Sequence, residues 1–443
     1  MDGSTTTDHK TTIMTPTKAT IRSYQVGFGD CYLLTFHYAG TTGDRHVLID
    51  CGSTRTPNRR TGDLRDARPL LPIVKDIGLR TGGKLHAVVA THRHKDHISG
   101  FTTTGKADGT GDVLRALKPD LVVQPWTEDP ALPENARKPK AARTASGTHA
   151  LGLQSMHAFS AAVVKEVKGL RKDLGVQLQG QLAFLGEDNV SNLNAVKNLM
   201  TMGKKNEYLH YGKKTALEKV LPGVKVHVLG PPTLEQYPAI GKQRGTDAAE
   251  FWLKRGAAAS AYVAQAASPF APQHRLPEAE FPQEVRWIVP RIRASRGAQL
   301  LEMVTILDGQ MNNTSLILLF EFGGKKLLFP GDAQIENWEH ALGHKKDGKK
   351  NRALLAATDL YKVGHHGSRN ATPITLWNMF AKKGTNKGPL KTMMSTLSGV
   401  HGHTEETAVP RKTLVTALRE HSKLSNTDGL TKKKFFVDEV ITA

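Results

Sequence analysis

Short apolar runs separated by glycine-containing turns dominate the N-terminal part of the chain. Ala19 to Tyr24, Cys31 to His37 and Val47 to Gly52 are β-branched or aromatic runs of strand length, and the third ends at a glycine turn. Leu85 to Ala90 predicts a buried strand that stops where Thr91 opens a polar segment. Pro69 to Leu79 has helical spacing and is expected to pack beneath that strand. Val113 to Leu117 reads as helix and Asp120 to Gln124 as strand, a βαβ step.

The pattern then changes. From about 128 to 220 the chain is basic and Ala-rich, with helical stretches at Ala158 to Lys172 and at Ser191 to Met202, the latter headed by an N-cap residue. This predicts a helical insertion. Val224 to Leu229 returns as a strand running into Gly230-Pro231-Pro232, and a second helical insertion is expected at about 240–298. Leu316 to Phe322, Gly323-Gly324 and Lys326 to Phe329 predict a hairpin that ends in Pro330-Gly331-Asp332. A strand from Leu360 follows, then Ser395 to Gly399 as a closing strand and Lys412 to Glu420 as a helix. Residues 1–18 are polar and Thr-rich, the composition of a disordered tail. The remainder, 19–443, reads as one core carrying two insertions.

Composition narrows the class. Hydrophobic residues make up 39% of the 443, enough for a sizeable core, and no apolar run approaches the roughly 18 residues of a membrane helix. With no apolar leader near Met1, the expectation is a cytoplasmic protein without a membrane partner. Cys31 and Cys51 sit in strand contexts and are read as buried thiols. Net charge is +20, from 61 basic against 41 acidic residues, with clusters at Arg137 to Arg143, Lys204 to Lys214, Lys345 to Arg352, Lys382 to Lys391 and Lys432 to Lys434. Such a surface attracts phosphate-rich partners. The same runs, poor in aromatics, also fit solvated lysine loops.

Chemistry concentrates at strand ends. His92, His94, Asp96 and His97 fall within six residues after the Leu85 to Ala90 strand, a density that a solvated loop does not explain. Alternate residues of an extended segment share a face, so His92 and His94 can approach one ion while Asp96 and His97 fall on the following turn. Imidazole with carboxylate favours zinc, manganese or iron over calcium. Asp332 at the hairpin end, the segment His365-His366-Gly367-Ser368 and the turn containing His403 are further candidates. His227, alone within a strand, is read as structural.

The pattern His-x-His-x-Asp-His is the hallmark of the metallo-β-lactamase superfamily. The stretch Val26-Gly27-x-Gly29-Asp30, the segment Leu48-Ile49-Asp50-x-Gly52 and the His365-His366-Gly367-Ser368 motif resemble its ComEC-like branch, named for the hydrolase domain attached to bacterial DNA-uptake channels. The resemblance covers roughly 19–125 and 222–425. It implies an α/β (α+β) fold, the αββα metallo-β-lactamase sandwich with helical insertions, and two divalent metal ions, zinc or manganese. His92 and His94 would hold one ion, Asp96, His97 and His366 the other, and Asp332 both. The implied function is a phosphodiesterase or nuclease using a metal-bound hydroxide, with Asp96 orienting or deprotonating the water, and His365 and His403 serving catalysis. Asn313, Ser315, Ser368 and Asp30 would face the substrate, a phosphate-containing molecule and possibly DNA or RNA. One departure is visible: many members carry a further histidine where this chain has Asn312-Asn313-Thr314-Ser315. Hydrolysis of a small phosphoester, cyclic nucleotide or other ester is an alternative. So is a partner-binding module or a defence or toxin effector whose helical insertions recruit a protein. The oligomeric state stays open.

Overall fold

The computed structural model describes residues 15–40, 43–54, 70–131, 138, 192–241, 311–368, 372–400, 408–430 and 434–443. Period-two apolar patterning produces strands close to the expected bounds: β1 (Lys18–Tyr24), β2 (Cys31–His37), β3 (Arg45–Cys51), β4 (Ala87–Val89) and β5 (Leu121–Pro125). Further along come β6 (Lys205–Leu209), β7 (Lys225–Gly230), β8 (Ile317–Phe322), β9 (Lys325–Phe329), β10 (Leu360–Lys362), β11 (Lys391–Met394), β12 (Lys423–Asn426) and β13 (Phe436–Thr442). The protein is of mixed α/β content with two mixed sheets, one in the order β13-β1-β2-β3-β4-β5-β6 and the other β12-β11-β10-β9-β8-β7. In each sheet an antiparallel part is joined to a parallel one. β3 to β6 run parallel in the first sheet, and β9 to β12 in the second.

Alternation divides the apolar residues between three clusters. Tyr32, Leu34 and Phe36 of β2 and Val47 and Ile49 of β3 join Leu318, Phe320, Leu327 and Phe329 of the second sheet in one core. The opposite face of the first sheet, with Leu33, Leu48, Val88 and Val122, packs on Ile73, Val74 and Ile77 of the helix Leu71–Arg80 and on Ala195 and Leu199 of the helix Leu193–Thr201. The other face of the second sheet, with Leu319, Leu328 and Tyr361, covers Trp338, Leu355, Leu376 and Leu418 from four helices.

Several expectations need correction. The stretch expected to be an inserted helical segment contributes β6, which pairs in parallel with β5 and closes one edge of the first sheet. Its sequence Lys-Asn-Glu-Tyr-Leu hides this role, because an edge strand buries little and only Leu209 is buried here. The helix Leu193–Thr201 begins at Asn192, whose side chain accepts a bond from Thr102 Oγ1 rather than capping the helix. β11 ends at Met394, so Ser395 to Gly399 is not a strand. The basic run around Lys349 and Lys350 is part of the helix Gly348–Ala356, which leaves those lysines exposed and buries Asn351 and Leu355. β1 begins at Lys18, and the Thr17 N–H already donates to the His37 carbonyl, within the expected tail. The Ala158 to Lys172 helix, all but the first two residues of the second insertion, and His403 lie outside the described residues. Cys31 and Cys51 are free and buried, and His227 pairs with Glu321 at 2.8 Å. Among the described residues no helix is long and apolar enough to cross a membrane.

Candidate metal centre

Backbone contacts bring distant segments to one rim. At the end of β4, the Thr91 N–H and hydroxyl donate to the two carboxylate oxygens of Asp50, each at 2.7 Å, while the Thr91 carbonyl accepts from Leu316 of the second sheet. The short helix Lys95–Ile98 starts from His94 and turns Asp96 and His97 inward. It lies directly on Gly52, where a Cβ would sit 2.5 Å from the Asp96 carbonyl carbon and from the His97 nitrogen. Any side chain there would push the ligand-bearing turn away. Asp332 follows β9 and its N–H donates to Ser315 Oγ at 3.2 Å. His366 follows β10 in a left-handed conformation, φ 52°, on a turn that aims its ring back into the rim.

These segments converge on Asp96, His97, Asp332 and His366, four buried residues whose donor atoms lie within 4.8 Å of one another. His97 Nε2 is 3.0 Å from Asp332 Oδ2, and His366 Nε2 is 3.1 Å from Asp96 Oδ2 and 3.6 Å from Asp332 Oδ2. The far nitrogens are fixed as well: His97 Nδ1 is 2.8 Å from Asp50 Oδ2, and His366 Nδ1 is 3.1 Å from the Ser395 carbonyl. Phe28 covers the His366 ring at a centroid distance of 4.5 Å. Asp96 Oδ1 is buried with no hydrogen-bond partner among the described residues. A bare carboxylate oxygen in a buried cluster of imidazoles and carboxylates is a fit for a divalent cation.

The electrostatics follow from this crowding. Burial opposes charge on His97, yet Asp332, Asp96 and Asp50 raise its pKa well above the ordinary value. His366 is pushed up to about 10, with Asp332 and Asp30 outweighing burial. In turn, burial alone would raise Asp96 and Asp332, and the two imidazoles hold both well below the usual carboxylate range. His92 goes the other way: burial, then the neighbouring His97 and His94, keep it neutral far below its usual pKa.

Not every expected ligand joins this group. His92 and His94 stand side by side, His92 Nε2 3.0 Å from His94 Nδ1, with the His92 ring 4.1 Å from that of His97. Among the described residues, no group of three His, Cys, Asp or Glu donors forms around this pair. Asn313, expected to face substrate, is instead tied to the helix Ile335–Gly343, its carbonyl accepting from Asn337 at 2.9 Å. Ser315 is fully buried with its hydroxyl taken by Asp332 N–H, so it positions the aspartate rather than touching a substrate. Asp30 is fully buried and ion-paired with Lys362, which removes it from the substrate side too. Ser368 is buried, its hydroxyl oxygen without a hydrogen-bond partner among the described residues, while the His365 side chain is 26% exposed at 3.9 Å from Asp332.

Three contributors went unassigned in the sequence: Asp50, which orients His97, Lys362, and the Ser395 carbonyl. A charged residue inside the apolar runs Leu48-Ile49-Asp50 and Leu360-Tyr361-Lys362-Val363 is the signal that could have found the first two. Next to the cluster, Arg93 and Glu128 form a buried ion pair that ties the histidine loop to the turn after β5. In comparisons with known proteins, the chain matches no family model and no curated protein.

Proposed function

We propose that the chain is a metal-dependent hydrolase of phosphodiesters, a nuclease or related phosphodiesterase built on the αββα sandwich of the ComEC-like metallo-β-lactamase branch. The observation that carries it is the buried Asp96, His97, Asp332 and His366 group, in which one Asp96 oxygen accepts no hydrogen bond. Three apolar clusters, one shared by both sheets and one on the outer face of each, support the four-layer arrangement.

The group would hold a divalent cation, zinc or manganese, and His92 with His94 would complete a place for a second. Bound there, such ions supply a water of lowered pKa and shield the charge on a phosphoryl group. The chain's own residues do the rest. Asp50 and the Ser395 carbonyl hold the far nitrogens of His97 and His366, so that each ring presents Nε2 to the cluster. Asp96, with one oxygen toward His366 and the other unpartnered, is the group positioned to orient a water and accept its proton. The partly exposed His365 would meet the substrate's phosphate or leaving oxygen, and the buried, unbonded Ser368 hydroxyl would assist it. The +20 net charge draws a polyanion to the molecule.

The test is metal analysis of the purified chain, followed by incubation with DNA, RNA, cyclic nucleotides and model phosphodiesters. Bound zinc or manganese with chelator-sensitive cleavage of a phosphodiester supports the reading. Absence of bound metal even after loading overturns it, and cleavage confined to carboxylic esters moves the substrate class.

A further inference from the structure

Among the described residues Lys362 is the one buried lysine, the reaction above does not use it, and its surroundings give it a task. It sits within the apolar strand β10, 2% exposed, between β9 and β11. Its ammonium is ion-paired with Asp30, donates to the Gly331 carbonyl at 3.2 Å and lies 3.6 Å from Asp332 Oδ1. Asp30 in turn reaches the backs of both histidines, with Oδ1 3.5 Å from His366 Nδ1 and Oδ2 3.7 Å from His97 Nδ1. Asp30, Asp50 and His97 make up a second buried group whose donor atoms lie within 4.8 Å of one another. Two overlapping clusters of cation donors therefore share His97. The Lys362 ammonium lies against both, ion-paired with Asp30 of one and 3.6 Å from Asp332 Oδ1 of the other.

We infer that Lys362 is the resident cation of this centre: by pairing with Asp30 it takes that carboxylate out of the ligand set and leaves Asp96, His97, Asp332 and His366 as the group that meets a divalent ion on this side of the rim. The inference rests on the proposed reading of that group as a cation site. Its physical basis is that a buried carboxylate must be matched by a positive charge, and a lysine on a rigid strand supplies one that never dissociates. Lys362 also stands on the side of Asp332 opposite its histidine contacts, with Oδ1 facing the ammonium and Oδ2 facing His97. It thereby tempers the aspartate's pull on divalent ions and fixes which oxygen they meet. Lys362 is thus a positioning residue that acts through Asp30 and Asp332.

The experiment uses the full chain, stripped by chelation and titrated with cobalt(II), with calorimetry and the visible absorption of the bound ion as readouts. Lys362→Met frees Asp30 and leaves an uncompensated charge, so cobalt should bind about ten- to a hundredfold more tightly and with an altered absorption spectrum. A purely structural lysine would give weaker binding instead. In the double variant Asp30→Asn with Lys362→Met the pair is replaced by neutral groups of similar size, and the stoichiometry, affinity and spectrum should return to those of the parent chain. The double variant also carries the test if Lys362→Met fails to fold, because loss of cobalt from it would make Asp30 a ligand. Parent-like binding by Lys362→Met overturns this inference alone. Failure of the parent chain to bind cobalt overturns the cation site itself and this inference with it.

Discussion

Loading the metal-free protein with a divalent cation should expel about two protons per chain. The count comes from hydrogen-bond roles. His97 lies between Asp50 Oδ2 at 2.8 Å and Asp332 Oδ2 at 3.0 Å, and carboxylates only accept, so both ring nitrogens must donate. His366 lies between the Ser395 carbonyl and Asp96 Oδ2, each at 3.1 Å, and the same reasoning applies. Both rings are therefore imidazolium at neutral pH, as their raised pKa values require, and a cation that takes Nε2 of each must displace a proton from each. His92 adds none, because Thr91 gives its hydroxyl proton to Asp50 and accepts from His92 Nδ1, which leaves His92 Nε2 as an acceptor in a ring that burial keeps neutral. Calorimetric titration in buffers of different ionisation enthalpy reads the number directly. Affinity should also rise by about a hundredfold per pH unit in the range where both rings are charged. The sign for the metal-free chain is fixed by the same shift: the His366 pKa is raised from 6.5 to about 10, so its contribution to stability is full below 6.5 and is lost as pH rises through about 10. Release of less than one proton would refute this protonation scheme.

Four further outcomes are expected. Asp332→Asn keeps the shape but removes the charge facing both imidazoles, so metal-dependent hydrolysis should fall by about a hundredfold or more at saturating metal; undiminished turnover would put the shared carboxylate elsewhere. His92→Ala together with His94→Ala should lower bound metal while leaving the far-ultraviolet circular dichroism nearly unchanged, and unaltered metal content would remove the pair from the site. Charge reversal of Lys345, Lys346, Lys349 and Lys350, all exposed, should weaken nucleic-acid binding and make it less salt-dependent; an unchanged salt slope argues for a small substrate instead. Gly52→Ala drives a methyl group into the Asp96–His97 backbone and should cost about 2–3 kcal/mol or more in denaturant unfolding, with metal affinity falling alongside; wild-type stability would contradict that close approach.

Legibility followed the range of the interaction. β1 and β2 were readable almost to the residue because period-two patterning is local, and the candidate residues of the rim stood out because each sits just beyond an apolar strand. β6 and β12 were not, since Lys-Asn-Glu-Tyr-Leu and Lys-Leu-Ser-Asn lie at sheet edges and carry little alternation. β13 pairs with β1 from Lys18 opposite Thr442, and no local pattern announces a partner at the other end of the chain. The contacts that orient the centre share this difficulty. Asp50 meets His97 from 47 residues away, and His366 meets Asp96 across 270. Asn313 and Ser315 were assigned to the substrate side because their types suit it, while the packing that occupies them with Asn337 and Asp332 is a property of the folded chain alone.

The topology explains why such scattered residues meet. In each sheet the parallel strands direct their carboxyl ends to one edge, where α/β proteins gather their functional groups. Asp50 closes β3, His92 to His97 follow β4, Asp332 follows β9, His366 follows β10 and Ser395 follows β11. Asp30 stands at the start of antiparallel β2, opposite the end of β3, and so reaches the same rim from the other direction. Four of the groups gathered there, Asp30, Asp50, Asp96 and Asp332, are carboxylates that repel one another in a buried space. Lys362 and two imidazolium rings relieve that repulsion in the metal-free chain. Of these three positive charges, the lysine alone cannot be exchanged for a divalent ion by releasing a ring proton. On the proposed reading, cation binding at this rim would replace mobile protons around a fixed charge, tying the centre's metal affinity to pH and its ligand choice to Lys362.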